Sequence, residues 1–407
     1  MINVAKYTVN LYLNGNLIGD IREHAQNLEW TRKRTKIGVD SISFSLNDVQ
    51  FAKWCAERNT DIATLLKPLA LTCRISRNGT PVVGGFLATM PSYTPQGGSA
   101  TLTLSFDGYI NYLAGVHFIP PYAIRGTMGQ VVQNWVEGAN TAARIAGKEF
   151  GFITGSISTM AEIEETFDSY KDYKSAITDR CDNTTGAGPF ELYFHPNMTY
   201  DVIKDSEFGE EITDYIIEYP MLVNTVSATS ISAKEVTGFA SMVMGIGAEE
   251  ANDSGEAGNL YTAQLNQAAV VEYGYCEKVF QQSSVSQIAT LQRNVATELK
   301  NVSTMQWQPE LKLTGRTVNP VPTGERKIWI GDTVTIQNNE DLTGMTSGKF
   351  RVNALKVKVE DTGAEEITPT ISRSEAVNTS SFAKDIVRIE QELLDVQTGA
   401  NRLCVLG

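Results

Sequence analysis

The sequence predicts a mainly β chain with an α+β insert: two β-barrel or sandwich domains, a small α+β domain between them and a short C-terminal coiled-coil helix. Two stretches and a change of texture predict it. Lys327–Arg373 carries three apolar-alternating runs, at Asp332–Gln337, Phe350–Val359 and Glu366–Ser372. Gly- and Asn-rich segments separate them (338–348 and 360–363), the pattern of an antiparallel meander with one buried face. Leu69–Gly108 echoes that order, with runs at Leu71–Ser76, Val83–Ser92 and Ala100–Phe106. Each meander follows an amphipathic helical segment. Between them, from residue 116, helical periods take over.

Taken in order, Tyr7–Leu13 and Leu17–Ile21 flank Asn14-Gly15, a dipeptide that supplies the positive φ values of a tight hairpin. Leu28–Thr31 and Ser41–Leu46 continue as strands. Asp48 is placed to cap a helix to about Arg58, with Phe51, Trp54 and Cys55 on one face. The first β domain is set at 1–115. His117–Pro121 is extended, because its two prolines exclude a helix. Thr127 caps a helix with Met128, Val131, Val132, Trp135 and Ala139 at helical spacing. A loose Gly/Ser region runs to about Glu165, a second helix covers Tyr170–Cys181, and Phe190–His195 with Met198–Lys204 reads as a hairpin. These make an α+β domain at 116–215. The second β domain spans 216–375. It holds strand-like segments at Ile216–Ser232 and Gly238–Ile246, a mobile acidic loop at Glu249–Gly258, a new strand at Val270–Tyr275, and a helix at Val285–Asn301 capped by Ser284. In the last segment, 376–407, Phe382, Ile386, Ile389, Leu393 and Val396 are spaced 4, 3, 4, 3. That is an a/d seam of two heptads, too short to stand alone, so it calls for a partner helix.

Composition narrows the function. The net charge of −13 excludes a sequence-tolerant nucleic-acid binder, which needs basic surface to release counterions. No apolar run is long enough to span a membrane, and the N-terminus lacks the basic and apolar regions of a signal peptide. Five scattered cysteines without CxxC read as free thiols made in a reducing cytoplasm. No enzymatic, metal or cofactor site is expected. His24, His117 and His195 lack metal-ligand spacing, and HExxH, GxSxG and P-loop patterns are absent. Gly245-Ile246-Gly247 opens onto an acidic segment instead of a helix, unlike a dinucleotide fingerprint. Glu162, Glu164 and Glu165 read as a solvated turn. The tryptophans (Trp30, Trp54, Trp135, Trp307, Trp329) lie in or beside predicted elements and read as core.

Three blocks carry a resemblance. LEWTRKRTKIGVDSISFSL near the start, YKDYKSAITDRCDNTTGAGPFELYFHPNMTYDV in the middle, and VEYGYCEKVFQQSSVSQIATLQRNVATELK with WIGDTVTIQN, FRVNALKVKV and EEITPTIS resemble the phage tail-tip and baseplate hub family. That resemblance covers nearly the whole chain. It implies two tail-tube-like domains fused in one chain, and a homotrimeric ring that caps the distal tail tube, adapting a sixfold tube to a threefold tip. The ring would line a DNA-exit channel without binding the genome specifically. Implied partners are the distal tail protein ring, the tape-measure protein, and tail fibre or receptor-binding proteins. The implied location is the distal end of the virion tail. On this reading Phe382, Ile386, Ile389, Leu393 and Val396 form the trimer seam. Glu249, Glu250, Asp253 and Glu256 form an acidic loop facing the lumen or a neighbouring ring, and acidic residues outnumber basic ones along the lumen. The chain ends at Gly407 with no room for the peptidase, lysozyme or fibre region that many relatives carry, so wall degradation is not expected. Two readings from other classes stand beside it. A receptor- or glycan-binding adhesin would not need its two β domains to match. A cell-wall hydrolase would degrade peptidoglycan through one or two acidic residues.

Overall fold

A computed structural model describes residues 5–373 apart from 97–98, 168, 182–188, 221–225, 236–238, 252–256, 283–284, 286, 304–306 and 341–346. It forms two compact units. One is Met1–Ile231 together with the chain from Glu310 onward, and the other is Ser232–Pro309. The range expected as one second β domain, 216–375, is thus interrupted by a unit of its own.

The chain opens with the hairpin β1 (Tyr7–Leu13) and β2 (Asn16–Asp20). Asn14 and Gly15 take φ of 49° and 82°, the left-handed pair that matches the twist of the flanking strands. Next come β3 (Gln26–Lys33), β4 (Ser41–Asn47), α1 (Asp48–Ala56), α2 (Ile62–Leu65), β5 (Leu71–Arg77), β6 (Thr80–Leu87), β7 (Ser92–Gln96) and β8 (Ser99–Gly108). The cap of α1 is Asn47 rather than Asp48: the Asn47 side chain accepts from the Gln50 N–H at 3.1 Å. Asp48 already lies in the first turn and accepts from the Ala100 N–H at 2.8 Å. The run expected at 83–92 is divided between β6 and β7, and Pro91, which offers no N–H, falls in the break.

The middle of the chain gives β9 (Tyr122–Thr127), α3 (Met128–Ile145), β10 (Ile153–Ile157), β11 (Glu162–Phe167), α4 (Tyr173–Cys181), β12 (Phe190–Phe194) and β13 (Thr199–Lys204). Thr127 and Gln130 close a capping box on α3. The stripe Met128, Val131, Val132, Trp135 and Ala139 is buried in a core of its own with Phe118, Tyr173 and Phe190. The region expected to be loose contains two strands. β10 pairs in parallel with β13, and β11 pairs antiparallel with β9, placing Glu165 opposite Ile124. Both are polar strands fixed by distant partners, so they show no apolar alternation of their own. Glu162, Glu164 and Glu165 are therefore strand residues, and Glu165 is buried against Arg180 at 2.6 Å.

The second half begins with β14 (Ile217–Tyr219), β15 (Val226–Ser227) and β16 (Ser230–Glu235). The second unit supplies β17 (Met242–Ala251), β18 (Ala257–Leu265), α5 (Gln267–Tyr273), β19 (Glu277–Gln281) and α6 (Ile288–Val302). Its sheet runs β18-β17-β19, and Leu291, Val295 and Leu299 of α6 bury Val243. A Cβ on Gly245 would sit 2.3 Å from the Val295 side chain. The Gly-Ile-Gly spacing thus lets a helix dock closely on a strand. Several expectations change here. Val270–Tyr275 lies largely in a helix, whose cap Asn266 accepts from the Ala269 N–H. α6 starts at Ile288, after Gln287, without a side-chain cap bond; Ser284 lies outside the described residues. Within its own unit α6 packs on β17 and β18, and α1 lies on β4 and on β8 of the first meander. The segment expected as a mobile acidic loop is partly strand, with Glu249 and Glu250 of β17 opposite Asn259 and Gly258 of β18.

The chain ends its described part with β20 (Trp307–Thr314), β21 (Thr333–Asn338), β22 (Gly348–Val359) and β23 (Glu365–Arg373). Fifteen strands form one sheet, which does not close on itself among the described residues. Its two halves share a strand order: β1-β5-β6-β8-β4-β3 in the first, β14-β21-β22-β23-β20-β16 in the second. They differ in detail, since β14 runs parallel to β21 whereas β1 runs antiparallel to β5. Both meanders are therefore real and occupy equivalent places.

Candidate functional site

The feature that organises the first unit is the joint between its halves. β22 pairs antiparallel with β3, from Ala354 opposite Lys33 to Val359 opposite Leu28. One hydrophobic core serves both halves, and within it the Trp30 and Trp329 rings lie 6.3 Å apart. The halves are thus joined by a hydrogen-bonded ladder and a shared core, and behave as one folded body.

Buried charges staple this joint. On β3 the inward period-two positions are Leu28, Trp30 and Arg32, and Arg34 follows just beyond the strand; all four are buried. Arg32 donates to Asp40 at 2.6 Å and to the Phe194 carbonyl at 2.9 Å, and its guanidinium lies 4.6 Å from the Tyr193 ring centroid. Arg34 pairs with Glu191 at 3.3 Å and with Asp205, and donates to Asn353 at 3.3 Å. Thr35 donates to Glu191 through its N–H and hydroxyl. Arg351 of β22 donates to the Asp205 carboxylate at 2.6 Å and to the Phe208 carbonyl at 2.7 Å. Two arginines from different halves therefore meet on Asp205, which follows β13 of the middle module. Burial pushes the Asp40 and Glu191 carboxyls above the usual range, against the pull of Arg32 and Arg34.

A second staple ties β23 to the first half. Arg77 of β5 grips Glu365 with two bonds of 2.7 Å, and Tyr7 of β1 donates to the same carboxylate. Arg77 also donates to Asn319 at 3.1 Å. Beside these, burial lifts Asp332 from 3.8 to about 6, although Lys327 and the N–H groups of Glu210 and Trp329 favour its charged form.

Nothing in this arrangement resembles a catalytic cleft. His195 contacts one carboxylate, Asp201, at 2.6 Å. Burial alone would raise Asp201, but the His195 bond and the Ser156 N–H hold it below its usual value. His117 makes a β-bridge with Asp172. No three His, Cys, Asp or Glu side chains among the described residues come together as metal ligands. Among the described residues no disulfide forms between Cys55, Cys73, Cys181 and Cys276, and burial pushes the Cys55 thiol up to about 11. Trp30, Trp54, Trp135 and Trp329 are buried.

The residues singled out in the sequence fall elsewhere. Phe382, Ile386, Ile389, Leu393 and Val396 lie outside the described residues, as do Asp253 and Glu256. Glu249 and Glu250 belong to β17 of the second unit. The stapling residues Arg32, Arg34, Arg77, Glu191, Asp205, Arg351 and Glu365 were not picked out. One signal was available: charged side chains continuing the inward positions of an otherwise apolar-alternating strand.

No family model matches the chain, and no curated protein matches it. Solved structures do. A tail protein from Neisseria meningitidis MC58 superposes with a TM-score of 0.58 at 12% identity, over 90% of this chain and 97% of its own. The 43 kDa tail protein of prophage MuSo2 from Shewanella oneidensis gives 0.55 at 10% identity, over 90% and 98%. Prophage tail protein gp18 from Listeria monocytogenes EGD-e gives 0.51 at 11% identity, over 95% and 99%. The mainly β fold predicted from the sequence and the resemblance drawn there meet in these structures: the chain has the fold of phage tail proteins.

Proposed function

We propose that this chain is a structural hub of a phage tail tip or baseplate, which caps the distal tube as a homotrimeric ring, adapts a sixfold tube to a threefold tip and lines the DNA-exit channel. One observation carries the reading. The two halves share a strand order, and the joint between them, β22 on β3, is made once within the chain. β6 and β7 both lie along β8 as β22 lies along β23, so the edges equivalent to the joint are β7 and β16, which among the described residues pair with β8 and with β20 alone. A repeat of the same joint, β7 of one copy on β16 of the next, satisfies both open edges and propagates the sheet from copy to copy. Three copies present six equivalent halves, the number a sixfold tube needs.

The role is structural rather than enzymatic. The neighbours of such a ring are the distal tail protein ring, the tape-measure protein and the fibre or receptor-binding proteins, and its place is the distal end of the virion tail. We keep Phe382, Ile386, Ile389, Leu393 and Val396 as a threefold seam, and Glu249, Glu250, Asp253 and Glu256 as the segment nearest the axis or an adjoining ring.

The test is a solution mass with a seam-specific cross-link. The full chain should show three times its 44.6 kDa mass, with threefold rings in negative stain. Thr94→Cys combined with Ser232→Cys should give a bismaleimide ladder ending at three chains, absent when either cysteine is omitted. A monomer at all concentrations, or a ladder that ignores the two positions, would refute it.

A further inference from the structure

The three-stranded sheet of the second unit has two unlike faces. One lies under α6, whose Leu291, Val295 and Leu299 cover Val243. Lys278 of β19 reaches Glu298 on that side at 2.7 Å, and Gln264 of β18 donates to the Gln292 carbonyl. Alternation along each strand turns the intervening residues to the other face. There the register sets Leu265 beside Met242, Met244 beside Val279 and Tyr261 beside Ile246. Tyr261 is 57% exposed, Val279 56% and Leu265 48%, and the three β17 residues between them are half-buried. Glu277 and Gln281 of β19 stand at two corners. No described element covers this apolar face.

A contiguous apolar face left in water marks a docking surface, and its dimensions select the occupant. Three strands about 4.8 Å apart match one helix about 10–12 Å across, as α6 shows on the opposite side. The two methionines at its centre adapt to whatever apolar stripe is laid on them. The chain itself carries such a stripe. Phe382, Ile386, Ile389, Leu393 and Val396 recur at helical spacing over about 21 Å of helix, and a helix that short does not persist alone in water. Its point of departure fits as well. Glu310 of β20, which directly follows the second unit, stands opposite Thr370 of β23, and β23 ends at Arg373. The C-terminal segment thus leaves the sheet beside the strand through which the second unit rejoins it. Residues 374–381 can reach as far as about 28 Å.

We propose that in the unassembled chain this face receives the chain's own residues 382–396, their apolar stripe lying on Met242, Met244 and Ile246 until other copies take it over. The inference rests on the reading of those residues as an apolar seam and goes beyond the hub reading by giving the seam a place before a ring exists. The two uses exclude each other, because one stripe cannot face β17 and its symmetry mates at once. Docking within the chain therefore holds assembly back: the apparent affinity between copies is scaled down to the fraction of chains whose stripe is free.

The test is hydrogen exchange on the full chain, diluted until sedimentation gives the 44.6 kDa monomer. Residues 382–396 should be protected there. Tyr261→Lys with Val279→Lys, at two exposed positions of the face, should cost that segment about tenfold in protection while α6 keeps its own. The same variant should assemble at a several-fold lower concentration. Ile389→Asp with Leu393→Asp checks the contact from the other side without touching the second unit: it should raise the fluorescence of anilinonaphthalenesulfonate while cooperative unfolding is retained. Absence of protection in the wild-type monomer, protection that the face variant leaves unchanged, or a dye signal that does not rise overturns the proposal. A face variant that assembles less readily also overturns it, by assigning the face to a contact between copies. Protection that appears only at three times the monomer mass overturns it too, and leaves the hub reading standing. A chain that keeps residues 382–396 protected yet stays a monomer at every concentration defeats the hub reading instead.

Discussion

Glu365→Ala tests whether the second staple holds the two halves in register. Glu365 is 9% exposed and Arg77 4% exposed. The substitution removes both 2.7 Å bonds to Arg77 and the acceptor for the Tyr7 hydroxyl. Arg77 keeps the Asn319 side-chain amide oxygen, a neutral acceptor at 3.1 Å, so its charge stays buried without a counter-ion. Breaking a buried pair from one side costs about 3–5 kcal/mol, whereas replacing both members by apolar residues of similar volume is neutral or stabilising. Glu365→Ala should therefore lower the urea midpoint by that amount divided by the slope of the transition. Arg77→Met with Glu365→Leu should recover most of the loss. Tryptophan fluorescence is the suitable probe, because Trp30 and Trp329 meet in the shared core. A single variant costing less than ~1 kcal/mol, the level of an exposed pair, would refute the assignment. A double variant as unstable as the single would do the same, since it would place the cost in packing and not in the stranded charge.

Three further outcomes follow. Gly245→Ala drives a Cβ to within 2.3 Å of Val295, so it should destabilise α6 on its sheet by about 1–3 kcal/mol, read by hydrogen exchange as lost protection confined to Ser232–Pro309. Asp332, raised by burial from 3.8 to about 6, binds its proton more tightly when folded; its contribution is fully present below pH 3.8 and lost as pH rises through 6. Across pH 4–7, wild type should then lose up to about 3 kcal/mol relative to Asp332→Asn, measured as the difference between their urea midpoints. If residues 382–396 form the proposed seam, Ile389→Asp with Leu393→Asp should lower the sedimenting mass without lowering the melting temperature of the β halves; an oligomer that persists while cooperative unfolding disappears would place those residues in the core of their own chain.

What the sequence made legible is what local chemistry determines. The Asn14-Gly15 turn, the Thr127 cap and most period-two runs of the two meanders depend on residues a few positions apart and match the structure; the run expected at 83–92 does not, being broken between β6 and β7. What escaped depends on distant partners. β10 and β11 are polar strands whose order comes from β13 and β9. Glu249 and Glu250 look like a solvated acidic run until β18 folds back to pair with them. The second unit is hidden because its boundaries lie at β16 and β20, strands that pair across the whole insertion.

The staples escaped for a different reason: a charged residue is read as solvent-facing unless its position contradicts that. On β3 it does. Leu28, Trp30 and Arg32 share one face and Arg34 continues it, so the apolar side of the strand becomes charged without changing direction. Such a switch means that the strand leaves its own core and enters a second body, where its charges require carboxylates from elsewhere. Those come from Glu191 and Asp205 in the middle module, while Arg351 arrives on Asp205 from the other half. A slip of one residue along β3 would turn Leu28 and Trp30 to solvent together with both arginines, and would strand the carboxylates as well. The buried ion pairs thus add to what the apolar face already does to fix the register of β22 on β3. A ring assembled by repeating that joint needs this register, because an error there would be copied into the relation of every half to the next.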